Sequence, residues 1–373
     1  MGNKVKIVAM YLPQYHEIEE NSKFWGKGFT DWVSVKKAVP LFEGHEQPQA
    51  PLGGNYYDLS QKEAILWQCN LAKKYGIYGF GIYHYWFTKD KCLLTKPSEI
   101  ILENQDISIP FFFAWDNASW RRTWSKFRGN AWAPVEDLEN KKTETEDSIL
   151  IEYKIGNEED WKIHFEYLLP YFKDSRYIKE NGKPVFEIFN YSSDIYKMHM
   201  YWDKLAREHG FEGIEIVYKE SALYSLPSKS VNFCYEPQNS GWGTWWKLWT
   251  FKGLSLLGIT KKTGPLIYSY DKVWRKIIKN ASRRNGKNDW HGAFVSYDDT
   301  PRRGKQGRIV IGATPEKFEK YLRQLVSICN EQKKEFIFLT AWNEWGEGAT
   351  LEPSEKYGNL YLEAIANVVK ENE

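Results

Sequence analysis

Eight short runs of apolar and β-branched residues punctuate the chain, at 5–11, 78–86, 109–115, 184–190, 213–218, 231–235, 292–297 and 336–340. Each has the length and composition of a buried strand. Helical patterns separate most of them, at 60–75, 158–172, 193–209, 314–330 and 356–370. Ser60, with Glu63 three residues on, reads as a capping box. Gly76 and Gly210 stop two of the helices, and Pro315 suits a first helical turn. Strands alternating with helices argue for a parallel sheet, and eight such units argue for a closed (β/α)8 TIM barrel. Polar and aromatic residues gather at the C-terminal end of run after run: Tyr11, Tyr83, His84, Trp86, Trp115, Asp116, Glu236, Tyr297, Asp298, Asn343 and Glu344. A barrel brings those ends to one mouth, where barrel active sites lie. No Gly-rich phosphate loop joins a strand to a helix, which disfavours a dinucleotide domain. We expect one catalytic domain over residues 1–373, with loop insertions near 14–60, 117–157 and 240–288.

The last run turns abruptly into AWNEWGEG (341–348). Glu344 and Glu347 stand three positions apart, between indoles and glycines, at the end of a buried strand. Carboxylates in such a place must be solvated, paired or employed. Trp342 and Trp345 offer flat apolar walls, and Gly346 and Gly348 permit sharp bends or close approach. Paired carboxylates in an aromatic cleft suit glycosidic-bond chemistry, one managing a proton at the leaving oxygen and the other activating a nucleophile. The plainer reading is one buried glutamate bonded to backbone and one on the surface. Composition favours the first. Aromatics make up 17% of the chain, with 18 Trp, 24 Tyr and 20 Phe, and such side chains suit stacking on sugar rings in a wet cleft.

Other classes are disfavoured. The net charge of +2 leaves no electrostatic footprint for nucleic acid. Cys69, Cys92, Cys234 and Cys329 lack metal-ligand spacing and read as reduced, buried thiols. We expect neither a metal nor a cofactor. The first residues form a strand pattern rather than a signal peptide, and no run is long and apolar enough to span a membrane. A cytoplasmic location is expected, in one version peripheral to the inner membrane face through 240–288. There Trp242, Trp245, Trp246 and Trp249 precede a Lys/Arg-rich run, and indoles with basic residues suit a membrane interface or an anionic, lipid-linked glycan. The plainer reading of that stretch is a barrel helix with a solvated basic face.

Further candidates surround the two glutamates. His84 reads equally as a sugar-hydroxyl partner and as a satisfied core histidine. Asp116 and Asn117 could hold hydroxyls or cap a turn. Glu236, Tyr297 and Asp298 are expected to contact ligand, with Tyr83, Trp120 and Asn343 beside them. Trp25, Trp32, Trp86, Trp115 and Trp345 are each safer as core residues, but as a set they point to stacking. The pairs Arg121-Arg122 and Arg302-Arg303 read as surface ion pairs, with an acidic sugar as the alternative partner.

Six stretches together resemble the WbsX-like polysaccharide-biosynthesis proteins, which are related to the family 99 glycoside hydrolases, endo-α-mannosidases and endomannanases. They are AMYLPQYH (9–16), FWGKGFTDW (24–32), YGFGIYHYWF (78–87), FAWDNASWRRTW (113–124), SYDDTPRR (296–303) and AWNEWGEGATLEP (341–353). The resemblance implies a (β/α)8 barrel and retention of anomeric configuration through two glutamates in an N-E-W-x-E-G pattern. By matching position these are Glu344, as base on the sugar's own 2-hydroxyl, and Glu347, as acid and then base at the departing and incoming oxygens. The intermediate implied is a 1,2-anhydro sugar. The usual hydrolase pattern places His before the second glutamate, where this chain has Gly346.

The expected function is therefore an enzyme that cleaves or rebuilds an α-glycosidic bond in an oligo- or polysaccharide, lipid-linked in one version. Two alternatives stand beside it. One is a sugar-nucleotide-dependent glycosyltransferase, for which the Asp298-Asp299 pair would be the metal-bridged diphosphate site. The other is a non-catalytic glycan-binding barrel.

Overall fold

A computed structural model describes residues 4–121, 149–221, 223–228, 230–242 and 264–371. Its eight barrel strands are β1 (Lys6–Tyr11), β2 (Gly79–Thr88), β3 (Phe111–Trp115), β4 (Lys183–Ile188), β5 (Glu215–Lys219), β6 (Val231–Phe233), β7 (Asp289–Phe294) and β8 (Phe336–Thr340). Every neighbouring pair is parallel, and β1 pairs with both β2 and β8, so the sheet closes on itself. Closure leaves no sheet edge to protect, and the apolar strands are buried on both faces. The interior is filled by side chains. A Cβ at Gly81 would lie 2.8 Å from both Met10 Sδ and a Phe112 ring carbon, so only glycine fits between those layers.

Helices α1 (Lys62–Lys74), α2 (Lys96–Glu103), α3 (Glu158–Lys173), α4 (Ser193–Glu208), α5 (Tyr270–Arg283), α6 (Pro315–Glu331) and α7 (Leu360–Glu371) form the outer layer. Local chemistry starts several of them. Asn157 and Asp160 make a reciprocal capping box on α3. Ser192 caps α4 through the Ile195 amide, and Thr314 caps α6 ahead of Pro315. The capping box expected at Ser60 is absent: α1 begins at Lys62 with Gln61 as its cap and no side-chain bond there.

Two of these outer helices lie outside the five helical patterns marked in the sequence. Pro97 sits in the first turn of α2. The other, α5, lies inside the stretch read as an insertion. Val273, Trp274 and Ile277 are buried while Arg275, Lys276, Lys279 and Arg283 face solvent. Residues 270–283 are thus a barrel helix with a basic outer face. Trp274 stacks on Tyr321 of α6 at 5.6 Å and on Phe294 of β7 at 5.6 Å. Strand β7 lies three residues earlier than its apolar run suggested, because DWH opens it. Tyr297 and Asp298 therefore fall beyond the barrel, in a small sheet with Leu266–Ser269 and Arg308–Ile311. Residues 122–148 and 243–263, which include Arg122 and the Trp245–Trp249 run, lie outside the described residues. No helix among the described residues is long and apolar enough to cross a membrane.

Candidate active site

Strand β8 delivers the chain to the barrel mouth, and there it folds back on itself. Asn343 and Glu344 pair antiparallel with Thr350 and Ala349. Residues Trp345–Glu347 make one 3-10 turn, and Gly348 closes it at φ 56°, a backbone state that glycine tolerates best. The hairpin is anchored at several points. Asn343 accepts from the Leu12 amide at 2.7 Å and donates to its carbonyl at 3.0 Å. The Tyr15 hydroxyl donates to the Asn343 carbonyl at 2.5 Å and accepts from the Trp345 amide at 3.2 Å. The Trp345 indole donates to Glu352 at 2.6 Å. That carboxylate also accepts from Tyr57 at 2.8 Å and Gln68 at 2.7 Å. Buried, satisfied polar networks of this kind fix one geometry.

That geometry presents Glu344 and Glu347 to a single guanidinium. Arg302 Nη2 donates to Glu344 Oε2 at 3.0 Å, and Nη1 donates to Glu347 Oε1 at 2.8 Å. Its other edge grips Asp31, Nη2 to Oδ2 at 2.9 Å and Nε to Oδ1 at 3.2 Å. Asp31 is fully buried and Arg302's side chain is 14% exposed. The arginine read from sequence as half of a surface pair is instead the hub of three carboxylates. Asp31 comes from the loop after β1, at the start of the helix Asp31–Lys37. Gly346 explains how the pieces fit. Its amide donates to Asp31 Oδ2 at 3.2 Å, and a Cβ there would overlap the Asp31 carboxylate and Arg302 Nε. A histidine at this position is incompatible with the Asp31–Arg302 pair as it stands.

The electrostatics follow from burial and crowding. Three carboxylates on one guanidinium leave the fully ionised cluster at net −2, in a place largely shielded from water. Burial pushes the Glu344 carboxyl above the usual range. Arg302 opposes that shift, while Glu347 and Asp31 reinforce it. The same three carboxylates hold Arg302 firmly charged. Glu344's side chain is 6% exposed and Glu347's 22%, so Glu347 has the freer access to water.

Both glutamates line a cleft of about 260 Å³ at the mouth, together with the ligand-contact candidates Tyr83, Asp116 and Tyr297 and with Trp242, Arg302 and Arg303. Burial pushes Asp116 up to about 6, against the pull of Lys219. The remaining candidates are placed elsewhere. His84 points outward from β2, its Nε2 2.8 Å from His164 Nε2 on α3, and burial lowers it to about 3. Trp86 stacks on His164 at 4.2 Å, and the Trp115 indole donates to the Trp86 carbonyl. Trp32 donates to the Tyr57 carbonyl and packs on Trp345. Trp25 and Trp342 are buried against Phe29 and Phe80, and Trp120 against Tyr85 and Phe87. Tyr11 donates to Gln68, Asn117 exchanges bonds with the Asn190 backbone, and Asn343 holds the hairpin.

The acidic candidates beyond β6 and β7 serve the scaffold. Glu236 accepts from the amide and hydroxyl of Ser240, and burial lifts it to about 7. Asp298 accepts from His45, Gln47 and Thr300, tying loop 40–50 to the mouth. Asp299 accepts from Arg303, Tyr297 and the Arg308 amide. The two aspartates face different partners rather than a common centre. Among the described residues no cluster of His, Cys, Asp and Glu could hold a metal ion.

Sequence reasoning missed Asp31, Tyr85, Lys219, Tyr235 and Arg308 and set Trp242 in an outer insertion; all of them reach this cluster or its cleft. Tyr85 shares the inward parity of Tyr83, a signal available from the pleat. Nothing local marks the others.

Three kinds of likeness place the chain among known proteins. Solved structures share its fold. The GH99 endo-alpha-mannosidase from Bacteroides thetaiotaomicron aligns with a TM-score of 0.52 at 14% identity, covering 98% of this chain and 96% of that one. A glycoside hydrolase-like protein aligns at 0.58 and 12% identity, covering 98% and 94%. At such identities the likeness is one of fold. The uncharacterized protein WxcX of Xanthomonas campestris pv. campestris is 27% identical over 376 residues, covering 96% of this chain and 48% of the relative. The chain thus spans about half the length of the curated relatives it matches. Residues 7–365, almost the whole chain, match the model of one family, and the chain belongs to that family, Glycosyltransferase WbsX.

Proposed function

We propose that this chain is a retaining α-glycoside hydrolase or transglycosylase that works through Glu344 and Glu347. Family membership and the glycoside-hydrolase-like barrel together support a carbohydrate-active enzyme. The observation that carries the finer reading is the pair of glutamates lining one mouth cleft on a shared arginine. In this reading Glu344 removes the proton from the sugar's 2-hydroxyl. O2 closes onto the anomeric carbon as the glycosidic bond breaks, and Glu347 gives a proton to the departing oxygen. Water or an acceptor hydroxyl then attacks the anomeric carbon, losing its proton to Glu347, while Glu344 returns a proton to O2. No protein nucleophile is needed, because the neighbouring hydroxyl is already within reach. Glu347 is the glutamate with access to water, as the second step requires.

The unliganded cluster favours a proton on Glu344, whose carboxyl is raised by burial. A 2-hydroxyl donating to Glu344 stabilises its carboxylate form. Substrate binding thereby readies Glu344 for its role as base. The family's printed description favours a second reading, a sugar-nucleotide-dependent transferase. Thermal shifts separate the two. Stabilisation by α-linked oligosaccharides or imino sugars, indifferent to divalent metal, supports the glycosidase. A metal-dependent shift with one sugar nucleotide overturns it.

A further inference from the structure

Among the described residues, four cationic side chains line the cleft: Lys219, Arg302, Arg303 and Arg308. Two are already matched. Arg302 holds its three carboxylates, and Arg303 pairs with Asp299 at 3.2 Å. Arg308 and Lys219 form no ion pair with a carboxylate among the described residues. Both are held in place by aromatic rings instead. The Arg308 guanidinium lies 5.1 Å over the Trp242 indole. That indole is braced by Tyr297 at 4.9 Å and Tyr268 at 5.0 Å. The strand Arg308–Ile311 is fixed by ladders on both sides. The Lys219 ammonium sits 4.8 Å from the Phe189 ring and 5.9 Å from the Tyr235 ring, with one long contact of 3.4 Å to Gln238.

A ring face supports a cation and leaves its N–H groups unspent. A guanidinium seated on an indole beside a cleft is prepared for a planar, bidentate anion. A half-buried ammonium without an anion bears a desolvation penalty that a bound anion would relieve. The carboxyls closest to Lys219 in electrostatic effect are Asp116 and Glu187, yet neither comes within ion-pair distance.

We propose that the cleft accepts a glycan carrying an anionic group, a carboxylate or a phosphate, and that Arg308 and Lys219 are its specificity-determining partners. This rests on the glycan-acting reading of the same cleft. It makes the substrate class an acidic saccharide, such as a hexuronate-containing chain or a sugar attached through phosphate, rather than a neutral one.

The test is calorimetric titration of the whole chain with four probe sets: methyl α-hexuronides, the matching neutral methyl α-hexosides, hexose 1-phosphates and inorganic pyrophosphate. One of the two anionic sugar sets is expected to bind at least about tenfold tighter than its neutral counterpart, the advantage of a charge-assisted hydrogen bond. The advantage should shrink with added salt. A hexuronide advantage identifies a carboxylate source, and a hexose 1-phosphate advantage identifies a phosphate source. Arg308→Gln and Lys219→Gln should each reduce the margin while neutral binding persists, and Arg308→Lys should restore part of it. If Lys219→Gln fails to fold, the partly exposed Arg308 decides alone. Neutral hexosides binding as well as anionic ones would overturn the inference and leave the glycan-acting reading intact. Pyrophosphate binding without any sugar probe would overturn both. Silence from every probe overturns the anionic subsite, and hydrolysis of neutral oligosaccharides then judges the parent reading separately.

Discussion

Replacing Arg302 by methionine removes the guanidinium and keeps most of the side chain's volume. Three carboxylates then face one another without a counter-charge, with side chains 0%, 6% and 22% exposed. Deleting one partner of a buried ionic cluster costs about 3–5 kcal/mol, because the charges left behind are desolvated and unpaired. For a chain of this length that loss lowers the melting temperature by roughly 5 °C. The sign of its pH dependence follows from linkage. Without Arg302 the three carboxyls lose the charge that favours their ionised forms, so the folded variant binds more protons than the folded wild type. A carboxyl raised in the folded state weakens folding above its unfolded pKa and ceases to do so below it. The deficit of Arg302→Met is therefore largest at pH 8 and shrinks toward pH 5 and below. Denaturant titrations followed by tryptophan fluorescence at the two pH values measure it. A deficit under about 1 kcal/mol at both, as for an exposed ion pair, refutes the hub. So does a full-sized deficit that ignores pH, because it would come from packing alone.

Other expectations concern the chemistry and the core. Glu344→Gln and Glu347→Gln should each slow turnover on an accepted α-glycan by about 10²–10⁴-fold while affinity persists; unchanged turnover in either would return the site to a binding barrel. Gly346→Ala places a methyl group against the Asp31–Arg302 pair. It should cost activity by tenfold or more through misplaced glutamates, whereas Gly264→Ala, where a Cβ would meet open space without backbone strain, leaves activity unchanged. Glu187 is fully buried in β4, and neither carboxyl oxygen has a hydrogen-bond partner among the described residues. Burial raises it well above the usual range, so Glu187→Met should stabilise the protein. The gain should grow by about 1.4 kcal/mol per pH unit above pH 5 while the wild-type carboxyl stays protonated. A gain that does not vary with pH would show that Glu187 titrates normally.

The chain's own pattern determined the barrel and the address of its chemistry. Eight apolar runs with helices between them leave few ways to bury their faces, and closure is the one that also gathers the polar strand ends. The glutamates of 341–348 were legible because local contrast, carboxylates among indoles and glycines after a buried strand, is a property of neighbouring residues. Helix α2 was not legible because it is short, whereas α5 agrees with the plainer reading of its stretch, a barrel helix with a solvated basic face. What only the tertiary structure decided was the direction of each side chain and its partner. In β2 the alternation of Tyr83 and Tyr85 with His84 and Trp86 is plain, yet nothing local says which pair faces the mouth. The small Gly79 and Gly81 and the packing of α3 choose the tyrosines. Asp31 meets Arg302 across 271 positions, and Arg302 meets the glutamates across 42 and 45. No periodicity records such contacts, because an ion pair needs only complementary charge at the end of two chain paths. The paths themselves are set by how the barrel closes.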